Sequence, residues 1–391
     1  MSTAMGTVAS RVLVVNAGSS SLKIKLLPDD LALTVERIGA EAALSSSLAQ
    51  ADTPKPKDVH NHTSAFHYAL TVLEHTQNGI TEHIQAVGHR VVHGGERYRQ
   101  AVRINDDVIE GINDLIPLAP LHNPANLEGI RAARKVLANV PHVAVFDTAF
   151  HSSLPPVAYL YGLPKRFYDQ HGIRRYGFHG TSHAYVSQQA ADMLGRNDLK
   201  IITLHLGNGA SAAAVDAGVS VDTSMGFTPL AGLLMGTRSG DLDPSVVLQL
   251  MRQGMSADEV DTLLNKQSGL LGVSGVSNDM RDVEKAAAAG NEGARAAFDM
   301  FCYRVKKTIG AYAAAMGGLD VVVFTAGIGE HDAEVREASL AGLDFLGIQL
   351  DSAKNQQGEG DIASSDSRVH ILVIPTDEEG MIAAETRRVM S

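Results

Sequence analysis

The chain has a single cysteine among its 391 residues and no tryptophan. One cysteine cannot form an internal disulfide and cannot build a thiolate metal site by itself, so neither feature can hold this fold together. Cys302 lies in FDMFCYRVKKTIGAYAAAM, a segment with helical spacing, which predicts a buried structural thiol. This cysteine usage favours the reducing cytosol as the compartment of the protein.

The chain also lacks an excess of basic residues: 33 Lys and Arg stand against 44 Asp and Glu, for a net charge of −11. This balance argues against nucleic acid or an anionic membrane as a partner, although a few local arginines can still hold a small anion. No uncharged apolar run reaches the ~18 residues of a transmembrane helix. The N-terminal segment lacks a basic region followed by an apolar one, so no secretory signal is predicted and we expect a cytoplasmic protein.

The remaining composition, 45% hydrophobic and 20% charged, is that of a globular protein. At roughly 150 residues per domain, the length predicts two domains. Short β-rich runs alternate with helical periodicity, which predicts an α/β fold. Strands are predicted at 12–15, 22–27, 87–92, 143–146, 201–206, 321–325 and 369–374. Helices are predicted at 64–75, 126–138, 182–194, 244–252, 292–316 and 332–343, and residues 352–367 are predicted to be a loop.

Two segments about 190 residues apart resemble each other. VLVVNAGSSSLKIKLL and IITLHLGNGASAAAV each predict a strand, a glycine-containing turn and a second strand. Their similarity indicates a duplicated domain, with a cleft between the two copies. The alternative at this point is a pair of unrelated hairpins.

Three glycine-rich turns are candidates for binding phosphate. In NAGSSSLK, small residues allow close approach of the backbone, and the serine hydroxyls can contact phosphate oxygens, although an ordinary hairpin turn explains it equally well. HLGNGASA has a loose dinucleotide fingerprint, but the turn at Asp216 comes too early for the helix that this fingerprint requires. The segment AGIGE follows a predicted strand and precedes a helix predicted to start near Asp332, so it could hold phosphate or ribose.

Several charged residues lie in apolar or glycine-rich surroundings. Arg90 and Arg238 are flanked by small residues, and the planar fork of an arginine suits a carboxylate or a phosphate, with an inter-domain salt bridge as the alternative. Asp147 follows a buried strand, where α/β proteins gather catalytic groups, and could instead cap a helix. His179 and His183 are four residues apart but lack the glutamate of a zinc protease motif, so we expect His179 to donate or accept a hydrogen bond and His183 to be structural.

The segments NAGSSSLK, GHRVVHGG, FDTAFH, YGFHGTSH, HLGNGAS, DTSMGFTPL, MGTRSGDLDP and PTDEE together resemble those of acetate kinases. They occur in the order of that family from residue 16 to residue 379, so the resemblance covers essentially the whole chain. Each segment alone is a modest signal, whereas the ordered set is highly specific.

The resemblance implies the fold of the acetate and sugar kinase/Hsp70/actin superfamily, which is an α/β architecture of two duplicated, actin-like (ribonuclease H-like) domains with a nucleotide cleft between them. The expected domain I is residues 1–149 joined by 376–391, and the expected nucleotide-binding domain II is residues 150–375. The implied reaction is the reversible, Mg²⁺-dependent transfer of the ATP γ-phosphoryl group to acetate, which gives acetyl phosphate and ADP. Mn²⁺ is the alternative metal, and a homodimer is the implied assembly.

The resemblance also assigns roles to individual residues. The catalytic groups are Arg90, Asp147, His179 and Arg238. The magnesium ligands are Asn16 and Glu378. The acetate pocket comprises Arg90, Val92, Leu121, Phe178 and Pro229. The nucleotide-binding residues are Lys23, His205, Leu206, Gly207, Asn208, Gly209, Asp279, Met280, Arg281, Ala326, Gly327, Ile328, Gly329 and Glu330.

The sequence departs from the family pattern in the AGIGEH segment. Ala326 stands where the family usually has glycine, and His331 stands where it usually has asparagine. Gly380 replaces a residue that is commonly larger and apolar. These departures bear on nucleotide affinity or base preference and leave the chemistry unaffected.

Two other functions remain as alternatives. A propionate or butyrate kinase of the same family would need only a slightly larger acyl pocket. A non-catalytic, actin-like nucleotide switch would not need the four catalytic groups. In either kinase the carboxylate substrate, with a pKa of about 4 to 5, is already ionised near neutral pH, so no general base is required. We therefore expect Asp147 to orient an arginine or a magnesium-bound water.

Overall fold

The structure is a computed structural model that describes residues 10–46, 48 and 53–391. The segment considered for a secretory signal falls mainly on residues 1–9, which lie outside the described residues. The chain separates into two compact units, Met1–Ala149 with Asp377–Ser391, and Phe150–Thr376. None of the described helices is both long and apolar enough to cross a membrane.

The described residues form thirteen strands, fifteen α-helices and four short 3₁₀ helices. The strands are β1 (Val12–Ala17), β2 (Ser21–Leu27), β3 (Leu31–Glu36), β4 (Ala43–Ser45), β5 (Ala86–Val91), β6 (Val102–Arg103), β7 (His142–Phe146), β8 (Lys200–Leu206), β9 (Ala210–Asp216), β10 (Val219–Thr223), β11 (Val321–Thr325), β12 (Gly360–Asp361) and β13 (His370–Val373). The α-helices are α1 (His62–Thr76), α2 (Asp106–Asp114), α3 (Asn123–Val136), α4 (Pro156–Tyr159), α5 (Arg166–His171), α6 (Gly180–Leu194), α7 (Pro244–Arg252), α8 (Ala257–Lys266), α9 (Gly269–Ser274), α10 (Met280–Ala288), α11 (Glu292–Met316), α12 (Ala326–His331), α13 (Ala333–Leu340), α14 (Ser352–Gln357) and α15 (Glu378–Met390). The 3₁₀ helices are Ile80–His83, Ile116–Leu118, Ala149–Ser153 and Asp344–Leu346.

The first unit is built on a seven-stranded sheet in the order β4-β3-β2-β1-β5-β7-β6. Alternate residues of β1 point to opposite faces of this sheet, as in any strand. Leu13 and Val15 pack in the same core as Phe66 of α1, whereas Val12 and Val14 pack in the core that contains Ile382 of α15. The sheet is therefore covered on both faces, and the last helix of the chain completes this unit.

The second unit is built on a six-stranded sheet in the order β10-β9-β8-β11-β13-β12. One core of this unit joins Val186 and Ala190 of α6 to Ile201 of β8 and Val321 of β11. The long helix α11 contacts β8, β9 and β10. Strand β11 is buried along its whole length, which explains its continuous run of apolar residues.

The two sheets share one topology. In each, three antiparallel strands (β1–β3 and β8–β10) are followed by two parallel strands (β5 and β7, β11 and β13) and by a short antiparallel edge strand. The first sheet adds β4 at its other edge. The α/β fold class and the duplication inferred from the repeated β-β segments are therefore confirmed, and the two segments are equivalent pairs of strands, β1–β2 and β8–β9.

Two local predictions are wrong. Residues 352–367 are not a continuous loop, because they contain helix α14 and strand β12. The segment AGIGE is not a turn, because helix α12 begins at Ala326, directly after β11. The helix predicted to start near Asp332 is confirmed as α13, which Asp332 caps. The predicted buried thiol is confirmed, since Cys302 is buried in α11 and burial raises its pKa to about 12.

Candidate active site

An arginine–carboxylate pair lies at the carboxyl end of two neighbouring parallel strands of the first unit. Arg90 is in β5, and Asp147 directly follows β7. The guanidinium donates from Nε to Oδ1 of Asp147 at 3.0 Å and from Nη2 to Oδ2 at 2.7 Å. This bidentate geometry fixes the plane of the guanidinium, because a planar fork matches a carboxylate in only one arrangement.

Burial and the partner's charge have opposite effects on the pKa values of Arg90 and Asp147. Burial raises the pKa of Asp147, which is 1% exposed, and the charge of Arg90 opposes that rise. The Asp147 charge raises the pKa of Arg90, which helps to keep the guanidinium charged. The charge of Glu378 raises the pKa of both groups. The structure thus places Asp147 as the partner of an arginine, which supports the expectation that it orients one.

The predicted magnesium ligands and Lys23 belong to adjoining elements of the first unit. Asn16 in β1 is paired in register with Lys23 in β2. The Nζ of Lys23 lies 2.5 Å from Oε1 of Glu379, the residue after Glu378 at the start of α15. An amide oxygen and a carboxylate are hard donors of the kind that Mg²⁺ prefers, so Asn16 and Glu378 have the right chemistry to hold that ion.

In the second unit, His179 and Arg238 converge above Gly209. A Cβ built on Gly209 would lie 3.5 Å from Nε2 of His179 and 3.6 Å from Nη2 of Arg238. His179 has φ of +54°, in the left-handed region that few residues other than glycine adopt. Such backbone strain is concentrated at functional sites, and here it occurs at a residue that the sequence had already singled out.

Arg238 is a partly buried cation that has no carboxylate partner among the described residues. Its Nη1 donates to the backbone oxygen of Pro229 at 3.0 Å. Among the residues that the structure describes, no acidic side chain forms an ion pair with it. Burial lowers the pKa of Arg238, which shows that its charge is poorly solvated. A desolvated, uncompensated guanidinium is a ready site for an anion.

A cavity of about 660 Å³ in the second unit brings together four segments that are separated in sequence. Of the predicted nucleotide-binding residues, those that line it are Gly207, Asn208, Asp279, Met280, Arg281, Gly327 and Ile328. Asn208 is held in place by Asn278, whose Nδ2 donates to Asn208 Oδ1 at 3.0 Å, and any side chain at Gly236 would collide with that amide. The cavity has the size of a small-molecule site.

The other predicted nucleotide-binding residues of this unit do not line that cavity: His205, Leu206, Gly209, Ala326, Gly329 and Glu330. His205 instead stacks on His179, with ring centroids 4.2 Å apart. The carboxylate of Glu330 accepts from the backbone N–H of Ala326 at 2.8 Å and of Thr376 at 3.0 Å. Glu330 therefore joins the first residue of α12 to the segment that follows β13.

The four residues proposed around the acyl group divide between the units. Val92 and Leu121 belong to the first unit, in which Val92 follows β5 directly and Leu121 is 62% exposed. Phe178 and Pro229 belong to the second, in which Phe178 is buried next to His179 and Pro229 contacts Arg238. Of the four, Val92 lies two residues after Arg90 in the sequence, and Pro229 contacts Arg238.

The sequence reasoning missed a second layer of residues. The cavity is also lined by Asn278, Glu284, Asp332, Ala333, Glu334 and Gln356. It is lined as well by His331, which the sequence marks only as a departure from the family pattern. The buried Arg336 donates to the carbonyls of Gly329 and Glu330, both at 2.9 Å, and so supports the end of α12. No short motif marks these residues, because their role depends on partners distant in sequence.

The zinc interpretation of His179 and His183 finds no support. Within the described ranges, no group of three or more His, Cys, Asp or Glu side chains is arranged to hold a metal ion. Both histidines instead contact the hydroxyl of Ser211, His179 at 2.8 Å and His183 at 2.7 Å.

The sequence model of the acetokinase family matches residues 11–384 of the chain. The chain belongs to the acetokinase family. It is 53% identical to an acetate kinase of Thermoanaerobacterium thermosaccharolyticum, over 97% of this chain and 99% of that protein. Among solved structures, it is similar to an acetate kinase of Porphyromonas gingivalis (47% identity, TM-score 0.92, covering 98% of this chain and 100% of that one) and to a propionate kinase of Francisella tularensis (42% identity, TM-score 0.89, 97% and 100%).

Among the departures from the acetokinase pattern, Ala326 lies at a position where the backbone conformation favours glycine. Its φ is +63°, in the region where a Cβ clashes with the neighbouring carbonyl. We expect Ala326→Gly to stabilise the fold by up to about 1 kcal/mol, since relief of about 1–2 kcal/mol of strain exceeds the added chain entropy of glycine. Urea unfolding measures this change. Ala333→Gly in α13 is the matched control and should destabilise the fold, and a loss of stability in Ala326→Gly would contradict the account.

We expect Glu284 to make the stability of this acetokinase family member depend on pH, because it is partly buried beside Asp332 and Glu334. Burial, followed by the charges of Asp332 and Glu334, raises its pKa to about 7. An acid whose pKa is raised on folding destabilises the folded state once it ionises. The contribution of Glu284 to the free energy of unfolding therefore falls as the pH rises from about 4.5 to about 7.

We expect Glu284→Gln to raise the free energy of unfolding relative to the unaltered chain by about 1 kcal/mol more at pH 8 than at pH 5, a value reduced for the partial exposure of Glu284. Urea unfolding at both pH values tests this. Glu337→Gln, at an exposed position of α13, is the control. An equal effect of Glu284→Gln at the two pH values would show that Glu284 does not carry this pH dependence.

Proposed function

We propose that the chain is an acetate kinase, which transfers the γ-phosphoryl group of ATP directly to acetate and reversibly forms acetyl phosphate and ADP. The observation that carries the proposal is the desolvated Arg238, which lacks a counter-charge from the described residues and converges with His179 above Gly209. Membership of the acetokinase family supports the same reaction.

In the proposed reaction, a carboxylate oxygen of acetate attacks the γ-phosphorus, and the bond to the bridging oxygen breaks with its electron pair leaving on ADP. Two anions must approach each other, so the main task of the protein is positioning and neutralisation of charge. Arg238 would hold the transferring group, His179 would donate a hydrogen bond to it, and Arg90 would hold acetate. Acetate is already ionised near neutral pH, so no residue needs to remove a proton.

Asp147 has a positioning role in this account. Its two oxygens fix Arg90 through the bidentate contact at 2.7–3.1 Å. A guanidinium held in one plane presents its remaining N–H groups in one direction, which suits a planar carboxylate substrate. Asp147 therefore acts through Arg90 and takes no part in proton transfer.

Mg²⁺ (or Mn²⁺) would be held by Asn16 and Glu378 together with phosphate oxygens, and it would supply neutralisation of charge on the phosphates. Lys23 would contribute a further positive charge to the nucleotide. The nucleoside would occupy the cavity lined by Gly207, Asp279 and Gly327. His205, Leu206, Gly209, Ala326, Gly329 and Glu330 would then shape the surroundings of the nucleotide without lining that cavity.

Propionate is the alternative substrate, because a propionate kinase is among the similar solved structures. One methylene group changes discrimination by only about 1–3 kcal/mol, so small shifts of Val92, Leu121, Phe178 and Pro229 would decide between the two acids. We propose acetate as the preferred substrate.

The assembly, domain roles and compartment are also proposals. Residues 1–149 with 376–391 would form domain I, and residues 150–375 would form the nucleotide-binding domain. We propose a cytoplasmic homodimer that needs neither a membrane nor nucleic acid as a partner. Light scattering should give twice the chain mass of 41.4 kDa, and a mass of one chain would refute the dimer.

Trapping of the product with hydroxylamine tests the proposed reaction. ATP, Mg²⁺ and acetate should give an acyl phosphate that hydroxylamine converts to a hydroxamate, and omission of the metal should abolish the product. Acetate, propionate and butyrate are compared by kcat/KM. A higher value for propionate would reassign the substrate, and absence of hydroxamate with all three acids would refute a carboxylate kinase.

A further inference from the structure

Four side chains form a continuous hydrogen-bonded row behind the candidate active site. Thr203 Oγ1 lies 2.7 Å from Nδ1 of His183, and Nε2 of His183 lies 2.7 Å from Oγ of Ser211. The same Ser211 oxygen lies 2.8 Å from Nδ1 of His179. Thr203, His183 and Ser211 are buried, and His179 ends the row with its Nε2 above Gly209.

The hydrogens in this row can be counted. Each hydroxyl carries one hydrogen, and each neutral imidazole carries one N–H. Burial lowers the pKa of His183 well below its ordinary value, so this ring is neutral and has a single N–H. Three arrangements make all three contacts. In one, Ser211 accepts from both histidines, which leaves the hydrogen of its buried hydroxyl without an acceptor among the described residues. In the other two, all the hydrogen bonds run in one direction along the row.

In the first of these two arrangements, Thr203 donates to His183 Nδ1, His183 donates from Nε2 to Ser211, and Ser211 donates to His179 Nδ1. His179 then carries its proton on Nε2. In the reverse arrangement, His179 donates from Nδ1 to Ser211, and the last hydrogen of the row is that of Thr203.

Thr203 decides between the two directions. Among the described residues, its Oγ1 has one hydrogen-bond partner, which is His183 Nδ1. In the reverse arrangement its hydrogen would have no acceptor, although Thr203 is fully buried in β8. Buried hydroxyls without a partner are rare and unfavourable, so the first arrangement is favoured.

We propose that Thr203, His183 and Ser211 are positioning residues that fix His179 as a neutral imidazole with its proton on Nε2. This proposal rests on the proposed function, because that tautomer directs an N–H donor to the place where charge would develop on the transferring phosphoryl group. The stacking of His205 on His179 restricts the ring plane, and the row of hydrogen bonds selects the tautomer.

The protonation of His179 can be observed directly. With ¹⁵N-labelled histidine, two-bond ¹H–¹⁵N spectra distinguish the Nε2–H tautomer, the Nδ1–H tautomer and the imidazolium. His179→Gln assigns the signals. We expect the Nε2–H tautomer at pH 7 in the protein without substrates. An Nδ1–H tautomer or an imidazolium would overturn the proposal, whatever reaction the protein catalyses.

A pair of variants at the far end of the row tests the effect on the reaction. Thr203→Val removes the hydroxyl at nearly constant shape, and Thr203→Ser keeps it. We expect Thr203→Val to lower kcat about three- to tenfold, the effect of losing one buried hydrogen bond, with little change in the KM for ATP or acetate. Thr203→Ser should restore most of kcat, and Thr203→Val should increase the Nδ1–H signal of His179.

A structural effect is separated from positioning by repeating the change without His179. In the His179→Ala background, Thr203→Val should have no further effect on kcat, because the group that it positions is missing. An equal loss in both backgrounds would overturn the proposal. If the unaltered protein forms no acyl phosphate, the proposed function fails, and the spectra still show whether the row fixes the tautomer.

Discussion

Arg238→Ala should lower kcat by about 10²–10³-fold, which corresponds to about 2.7–4 kcal/mol of transition-state stabilisation, by analogy with the removal of one donor to a developing charge. The expected effect is large because Arg238 is partly buried and has no protein carboxylate to share its charge among the described residues. Nucleotide affinity should change little, since Arg238 does not line the cavity. Steady-state kinetics and calorimetric titration with ADP measure the two quantities.

Two other variants show whether this loss is specific. Arg252→Ala removes an exposed arginine of α7 and should leave kcat unchanged. Arg238→Lys keeps a positive charge but not the planar fork, so it should recover only part of the activity. If Arg238→Ala retained full turnover, Arg238 would have no catalytic role and the proposed centre would be wrong.

Asp147→Asn should lower both stability and turnover, and a higher pH should not restore turnover. Removal of one partner of a buried ion pair leaves the other charge uncompensated, at about 3–5 kcal/mol, with an amide offsetting part of that loss. Since Arg90 would lose its bidentate anchor, we also expect kcat/KM for acetate to fall by about 10² or more, as for a misplaced binding group. Urea unfolding and pH–rate profiles measure these effects.

An exposed pair of the same type is the control. Arg97 and Asp114 lie 3.8 Å apart, and both side chains are more than half exposed. Asp114→Asn should therefore change stability by less than about 1 kcal/mol and leave kcat unchanged. If the activity of Asp147→Asn instead rose steadily with pH towards that of the unaltered protein, Asp147 would be a proton acceptor, contrary to this account.

The sequence predicts the buried elements of the fold well. Helix α11 begins and ends at the predicted residues, because Asn291 caps its start and Gly317, with φ of +65°, ends it. Strands β1, β8 and β11 are found close to their predicted bounds, since runs of β-branched residues buried on both faces leave few alternatives.

Short polar elements are harder to predict. Helix α14 has a polar sequence and was predicted to be a loop, although Asp351 caps its start and Gly358 ends it. It is held by Asn355, whose Oδ1 accepts from Nε of the buried Arg336 at 2.8 Å. That contact joins residues 19 apart in the sequence, so the local hydrophobic periodicity does not predict it.

At the candidate site too, local sequence predicts some features, whereas others depend on contacts between distant residues. The resemblance to acetate kinases named Arg90, Asp147, His179 and Arg238, but the bidentate contact of Arg90 with Asp147 is visible only in the structure. In the sequence, Ser211 stands out only as part of a glycine-rich turn, and its link between two histidines depends on strands and helices that meet in space. Chemistry-bearing residue types can be recognised in sequence, whereas the partners that orient them cannot.

The stereochemical course of the reaction shows whether the phosphoryl group passes directly from ATP to acetate. ATP whose γ-phosphorus is made chiral with oxygen isotopes is incubated with acetate and Mg²⁺, and the configuration of the acetyl phosphate is determined. Direct attack of one anion on the other predicts inversion at phosphorus. Retention would show that the phosphoryl group is first transferred to the protein, and it would contradict the account.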